Sequence, residues 1–130
     1  MSLRIDAIGL FVKDMTAMVN FYRDVLGFRT NWAGEPNADL TCDNIRLIMY
    51  GRADFEKMLD HRFDYPQGLN GTLELAFDFK TRAEVDGEYA RLLAAGARSV
   101  LPPTEEPWGQ RTCYVADPEG NLLEISSFGI

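Results

Sequence analysis

Glu124 is the residue of this chain that fits its neighbours least. It is a carboxylate in the middle of Leu122-Leu123-Glu124-Ile125-Ser126, a run otherwise suited to a strand. Such a group either reaches water at a sheet rim or serves a pocket as general base, hydrogen-bond acceptor or metal ligand. Cys42 and Cys113 have no histidine or basic residue beside them in the sequence, so packing explains them better than thiol catalysis. His61 is the only histidine. It falls in a stretch carrying Pro66, Gly68, Asn70 and Gly71, and reads as a surface residue rather than a ligand. Arg111 opens a strand on the parity of Cys113, where it would pair with a carboxylate or hold an anionic ligand bidentately. Trp108, between Pro107 and Gly109, would close over the core or stack on a ligand. No G-x-S-x-G, P-loop or dinucleotide fingerprint is present.

The elements that must hold these residues follow from periodicity and punctuation. Arg111 to Ala116 and Leu122 to Ser126 are strands about the turn Asp117-Pro118-Glu119-Gly120-Asn121. Strand side chains alternate, so Leu123 and Ile125 face one way and Glu124 the other. Upstream, residues 5 to 12 read as a strand, Asp14 as an N-cap, and Met15 to Leu26 as a helix with one apolar stripe that Gly27 ends. Phe28 to Trp32 starts a strand. Ala38 to Cys42 and Ile45 to Tyr50 form a hairpin about Asp43-Asn44. Ala53 to Asp60 predicts a short helix, and His61 to Gly71 a linker.

The first pattern then returns. Thr72 to Phe79 is a strand, Thr81 with Glu84 is a capping box, and Arg82 to Ala95 is a helix stopped by Gly96. Ala7 falls on Glu74, Leu10 on Phe77 and Tyr22 on Tyr89, a weak internal repeat of a strand-helix-strand-strand-strand unit. Thr41-Cys42 align with Thr112-Cys113, and Asn44 with Asn121. Ile8, Leu10 and Val12, like Leu73, Leu75, Phe77 and Phe79, face the helices. The opposite face carries Ala7, Gly9 and Phe11 in the first copy and Glu74, Ala76 and Asp78 in the second. A solvent-washed face would be uniformly polar; this one suits a shared pocket in which Glu74 joins Glu124.

The chain of 130 residues is read as one domain: module one at 3–51, insert and linker at 52–71, and module two at 72–130. A net charge of −7, with Arg and Lys scattered along the chain, argues against a nucleic-acid partner, which needs a clustered basic surface. No apolar run approaches the ~18 residues needed to span a bilayer, and the N-terminus lacks a signal-peptide layout. Two cysteines make no disulfide framework, so a cytoplasmic location is expected.

Ile8-Gly9-Leu10-Phe11-Val12-Lys13-Asp14, Phe21-Tyr22 with Val25-Leu26-Gly27-Phe28, Pro107-Trp108-Gly109, and the run from Asp117 to Glu124 together resemble the vicinal oxygen chelate superfamily. That superfamily holds glyoxalase I, bleomycin-resistance and extradiol-dioxygenase proteins. The resemblance implies an α+β fold of two βαβββ modules whose curled mixed sheets form a cup, usually completed by dimerisation. Its metal enzymes place His or Gln at the position of Ala7, His at that of Glu74 and Glu at that of Glu124. A fourth ligand falls, by turn count, near Leu47, and nothing from Ile45 to Met49 ligates well. Two carboxylates without nitrogen donors make a poor transition-metal site and hold a hard divalent ion weakly.

The expectation is therefore a homodimeric protein, without a dedicated metal site or other cofactor, that binds a small organic molecule. Glu74, Phe11, Trp32, Trp108 and Arg111 would line the ligand site, and Glu124 is the candidate catalytic residue. The alternative is a glyoxalase-type lyase or isomerase with Glu124 as general base, with or without a divalent metal; a dioxygenase is least supported.

Overall fold

In the computed structural model, which describes residues 2–130, Asp14 caps the first helix as the sequence predicts. Its Oδ1 accepts from the Ala17 N–H at 3.0 Å, occupying a donor the helix itself leaves unpaired. The helix then departs from the prediction. Regular α-structure, α1, covers only Met15–Asn20. Phe21–Val25 form a π-helical turn, in which Leu26 N–H donates to Phe21 O at 3.1 Å. With this wider turn the consecutive aromatics Phe21 and Tyr22 are both buried, and Tyr22 sits edge-on to Phe28 at 5.4 Å. Gly27 ends the element at φ +83°, in the left-handed region that costs glycine least.

The chain divides between Tyr65 and Pro66 into two compact units. In the first, β1 (Ile8–Val12), β2 (Arg29–Thr30), β3 (Asn37–Cys42) and β4 (Ile45–Gly51) form a sheet in the order β1-β4-β3-β2. Only β1 and β4 run parallel. Val12, Leu40, Leu47 and Met49 of the sheet are buried, as are Met18, Val19 and Tyr22 of the helical segment. The last helix here, α2 (Arg52–Leu59), buries none of its residues. Instead Phe55 stands 4.1 Å from the Phe11 ring and 5.5 Å from Phe63. Residues 52 to 63 of the segment expected as insert and linker thus pack by Phe55 on Phe11, on the sheet's open face.

The second unit repeats the plan. It comprises β5 (Asn70–Asp78), α3 (Arg82–Ala94), β6 (Arg98–Glu105), β7 (Arg111–Ala116) and β8 (Asn121–Ser127), in the order β5-β8-β7-β6. Again the outer pair, β5 and β8, is parallel. Thr81 Oγ1 accepts from Glu84 N–H at 3.2 Å, capping α3. Strand β6 carries Pro102 and Pro103, residues that cannot donate to a ladder, and it lies at the sheet edge where that is tolerated. Val85 and Leu92 of α3 are buried, and so are Cys113, Val115, Leu123 and Ile125 of the sheet.

The registers correct one part of the repeat. With Ile8 equivalent to Leu75, their partners Leu47 and Leu123 are equivalent, so Ile48 rather than Leu47 matches Glu124. On the neighbouring strand Leu40 matches Val115, so Thr41 corresponds to Ala116, not Thr112. Asn121 likewise matches Ile45 rather than Asn44. For β4 and β8 the cause is the hairpin: the turn between Ala116 and Leu122 is one residue longer than that between Thr41 and Arg46, whereas the Thr41–Thr112 match, four positions out, follows residue type and not register. Counting outward from the turns therefore lands one position off.

Candidate functional site

The candidate site is built on the face of the second sheet turned away from α3. Period two assigns its members. Leu123 and Ile125 are buried on the helix side, so Leu122 and Glu124 look the other way. Parallel pairing sets Glu74 beside Leu122 and Ala76 beside Glu124, and antiparallel pairing sets Tyr114 opposite Glu124. Glu74, Tyr114 and Glu124, from three different strands, consequently share one face.

Tyr114 joins the two carboxylates. Its hydroxyl donates to Glu124 Oε2 at 2.9 Å and stands 3.3 Å from Glu74 Oε1. A phenol has one proton to give, and the shorter distance assigns it to Glu124. Burial, then the hydrogen bond to Glu124 and the negative charges of both glutamates, drive the Tyr114 pKa far above that of a free phenol. Tyr114 therefore stays a neutral donor at physiological pH. Glu124 is half-buried and Glu74 exposed, so the outer carboxylate meets solvent while the inner one is held by its strand and by the phenol. The face can accept hydrogen bonds from a ligand ammonium, amide or hydroxyl group, and can move a proton between a bound molecule and Glu124.

The other predicted residues lie elsewhere. Arg111 has the parity of Cys113 and points to the α3 side. Its Nε and one terminal nitrogen hold Asp86 at 2.9 and 2.7 Å, and the other reaches Glu105 at 3.4 Å. Of the two partners the sequence left open, a carboxylate of its own chain is the one supplied. The pairing keeps Asp86 below the usual carboxylate range. Trp108, in the turn after β6, is 63% exposed and donates from Nε1 to Gln110 Oε1 at 2.7 Å. Phe11 and Trp32 belong to the first unit. Phe11 packs on Phe55 as described, and Trp32 borders an open groove of about 510 Å³ beside β2 and β3.

Cys113 is fully buried, and burial first, then the charge of Asp86, pushes its thiol up to about 11. That is the behaviour of a packing residue rather than a nucleophile. His61 is exposed, with Nδ1 at 2.6 Å from Arg62 O and its ring 4.8 Å from Phe63.

The donor set does not fit a transition metal. Around Glu124 the second unit supplies carboxylates and a phenol, with no imidazole or thiolate among them. Among the described residues no group of three or more His, Cys, Asp or Glu could hold a metal ion.

Tyr114 is the member of the site that sequence reasoning misses. Its parity is readable, but setting it opposite Glu124 requires the register, and the register depends on the length of the intervening turn.

Comparison with known proteins bears on the whole chain. Residues 4–125 match the family model "Glyoxalase/Bleomycin resistance protein/Dioxygenase superfamily". A virulence protein of Salmonella typhimurium, STM3117, is 26% identical over 96% of this chain and 84% of its own length. The uncharacterized protein YraH of Bacillus subtilis is 28% identical over 91% of this chain and 93% of its own. Among solved structures, a family enzyme from Burkholderia phytofirmans superposes with a TM-score of 0.80 at 25% identity, covering 94% of this chain and 96% of that one.

Proposed function

Since the chain belongs to the glyoxalase/bleomycin resistance protein/dioxygenase superfamily, we propose that it binds a small organic molecule on the open face of its second sheet. Glu124 is the principal hydrogen-bond acceptor, Tyr114 its partner, and Glu74 the outer carboxylate. The observation that carries this reading is the Tyr114 hydroxyl 2.9 Å from Glu124 and 3.3 Å from Glu74. With one phenolic proton between them, the two carboxylates keep acceptor capacity that a ligand can take over from solvent. A ligand presenting an ammonium, guanidinium or amide N–H completes the set.

The test is a thermal-shift screen of small amines and guanidines beside uncharged compounds of the same shape, with hits remeasured by calorimetry. Hits among the cations should weaken about 10- to 100-fold in Glu124→Gln, the range expected for one hydrogen bond to a charged group. Tyr114→Phe should weaken them less. Equal affinity for wild type and Glu124→Gln, or a screen in which the uncharged compounds bind as well, would sink the proposal.

The same phenol–carboxylate pair favours a second reading, a lyase or isomerase in which Glu124 removes a proton from the bound molecule and Tyr114 steadies the charge that results. Solvent deuterium incorporated into a bound hit by wild type, and not by Glu124→Gln, would select it.

Each sheet ends in two edge strands, β1 and β2 in the first unit and β5 and β6 in the second. Open edges invite pairing with another chain, and we propose a homodimer in solution. Light scattering at high micromolar protein should return twice the 14.7 kDa chain mass; a mass that stays at one chain throughout rejects it. Two free cysteines, one of them fully buried, are the basis for proposing a reducing, cytoplasmic setting. No helix among the described residues is long and apolar enough to cross a membrane.

A further inference from the structure

The groove of the first unit has a chemistry different from that of Glu124. Its wall includes Arg29, Asn31, Trp32, Glu35, Asn37 and Asp39. Both carboxylates there already have donors. Glu35 Oε1 accepts from Ala33 N–H at 3.1 Å, and Asp39 is held by Arg46 at 2.8 Å. Arg29 stands on β2 with its side chain exposed. Its backbone pairs with Thr41 in the ladder, but no hydrogen bond or ion pair engages its guanidinium among the described residues, which leaves it the one charged lining side chain without a partner.

Trp32 is fixed at two points. Its indole Nε1 donates to Glu35 O at 2.7 Å, and its backbone N–H donates to Thr30 Oγ1 at 3.1 Å. The polar end of the indole is thereby satisfied within the chain, and the half-buried ring offers the groove an apolar surface. A volume of about 510 Å³ accommodates a single aromatic ring with one charged substituent. A fork of N–H donors beside a fixed indole suits a planar anion: the guanidinium takes a carboxylate bidentately while the aryl group lies against the ring. The geometry points to a binding site for small aromatic carboxylates beside β2 and β3, whose lining does not include Glu124, with Arg29 holding the anion and Trp32 the ring.

Trp32 and Trp108 are the only tryptophans, so Trp108→Phe makes Trp32 the sole indole reporter. In that background, benzoate should change the fluorescence saturably. Benzamide, benzylamine and acetate, which lack either the anion or the ring, should bind at least about tenfold more weakly. Adding Arg29→Gln, a change at an exposed position, should reduce benzoate affinity about tenfold or more. Adding Glu124→Gln instead should leave it unchanged, so this site and the one on the second sheet fail or succeed separately. The inference is overturned if benzylamine binds as tightly as benzoate, if Arg29→Gln leaves benzoate binding intact, or if no compound produces a saturable change.

Discussion

Gly120→Ala should destabilise the second unit by about 3 kcal/mol, far more than the few tenths typical of a surface change. Two effects add. Gly120 has φ +89°, a left-handed conformation that costs a residue with a Cβ about 1–2 kcal/mol. A Cβ built there would also lie 1.9 Å from the Gly68 carbonyl oxygen and 2.6 Å from its carbon. These are backbone atoms, so the chain itself must move, at a cost of a further ~1–3 kcal/mol. Gly27 is the control, with a similar φ of +83° and nothing within 4 Å of where its Cβ would stand; Gly27→Ala should cost only the conformational part, about 1–2 kcal/mol. Urea unfolding of both variants measures the difference. Equal losses would show that the approach of Gly68 to the turn carries no energetic weight.

Asp117→Ala in the same turn should cost about 3 kcal/mol. Asp117 is 3% exposed. One carboxylate oxygen accepts from the Glu119 and Asn121 backbone N–H groups at 2.9 and 3.0 Å, and the other from Asn121 Nδ2 at 2.8 Å. Removing it strands three donors at a partly buried site, and bonds to a charged group are each worth ~1.5–3 kcal/mol without adding fully. Asp117→Asn should fall between Asp117→Ala and wild type. It keeps one acceptor but sets its amide against Asn121 Nδ2. Turning Asn121 over to relieve that would remove the oxygen that accepts from Asn70 Nδ2 at 3.1 Å. Denaturation midpoints for Asp117→Ala within about 0.5 kcal/mol of wild type would refute this account.

What can be read from the sequence is local. Asp14, Gly27, Thr81 and Gly96 mark helix ends because capping and positive φ are settled within a few residues. Period two alone places Glu74 and Glu124 on one face, with no knowledge of register. Tyr114 escapes such a reading, because its meeting with Glu124 depends on how many residues the turn consumes. For the same reason a turn count puts Leu47 where Ile48 belongs. Arg111 has two kinds of partner open to it, and choosing Asp86 requires the packing of α3 on β7. The contact of Phe55 with Phe11 spans forty-odd positions and leaves no periodic trace, so a helix that buries nothing of its own carries no hint of where it docks.

The longer turn between β7 and β8 has a consequence for how this chain tolerates change in length. Its extra residue is absorbed before Leu122, and from there inward the two ladders keep the same order of faces. The duplicated halves thus keep time by hydrogen bonds rather than by residue count. An insertion confined to that corner is silent a few positions later, where Glu124 still meets its phenol. In such a scaffold the corners are where lineages can drift in length, while the strands between them hold the spacing of the chemistry.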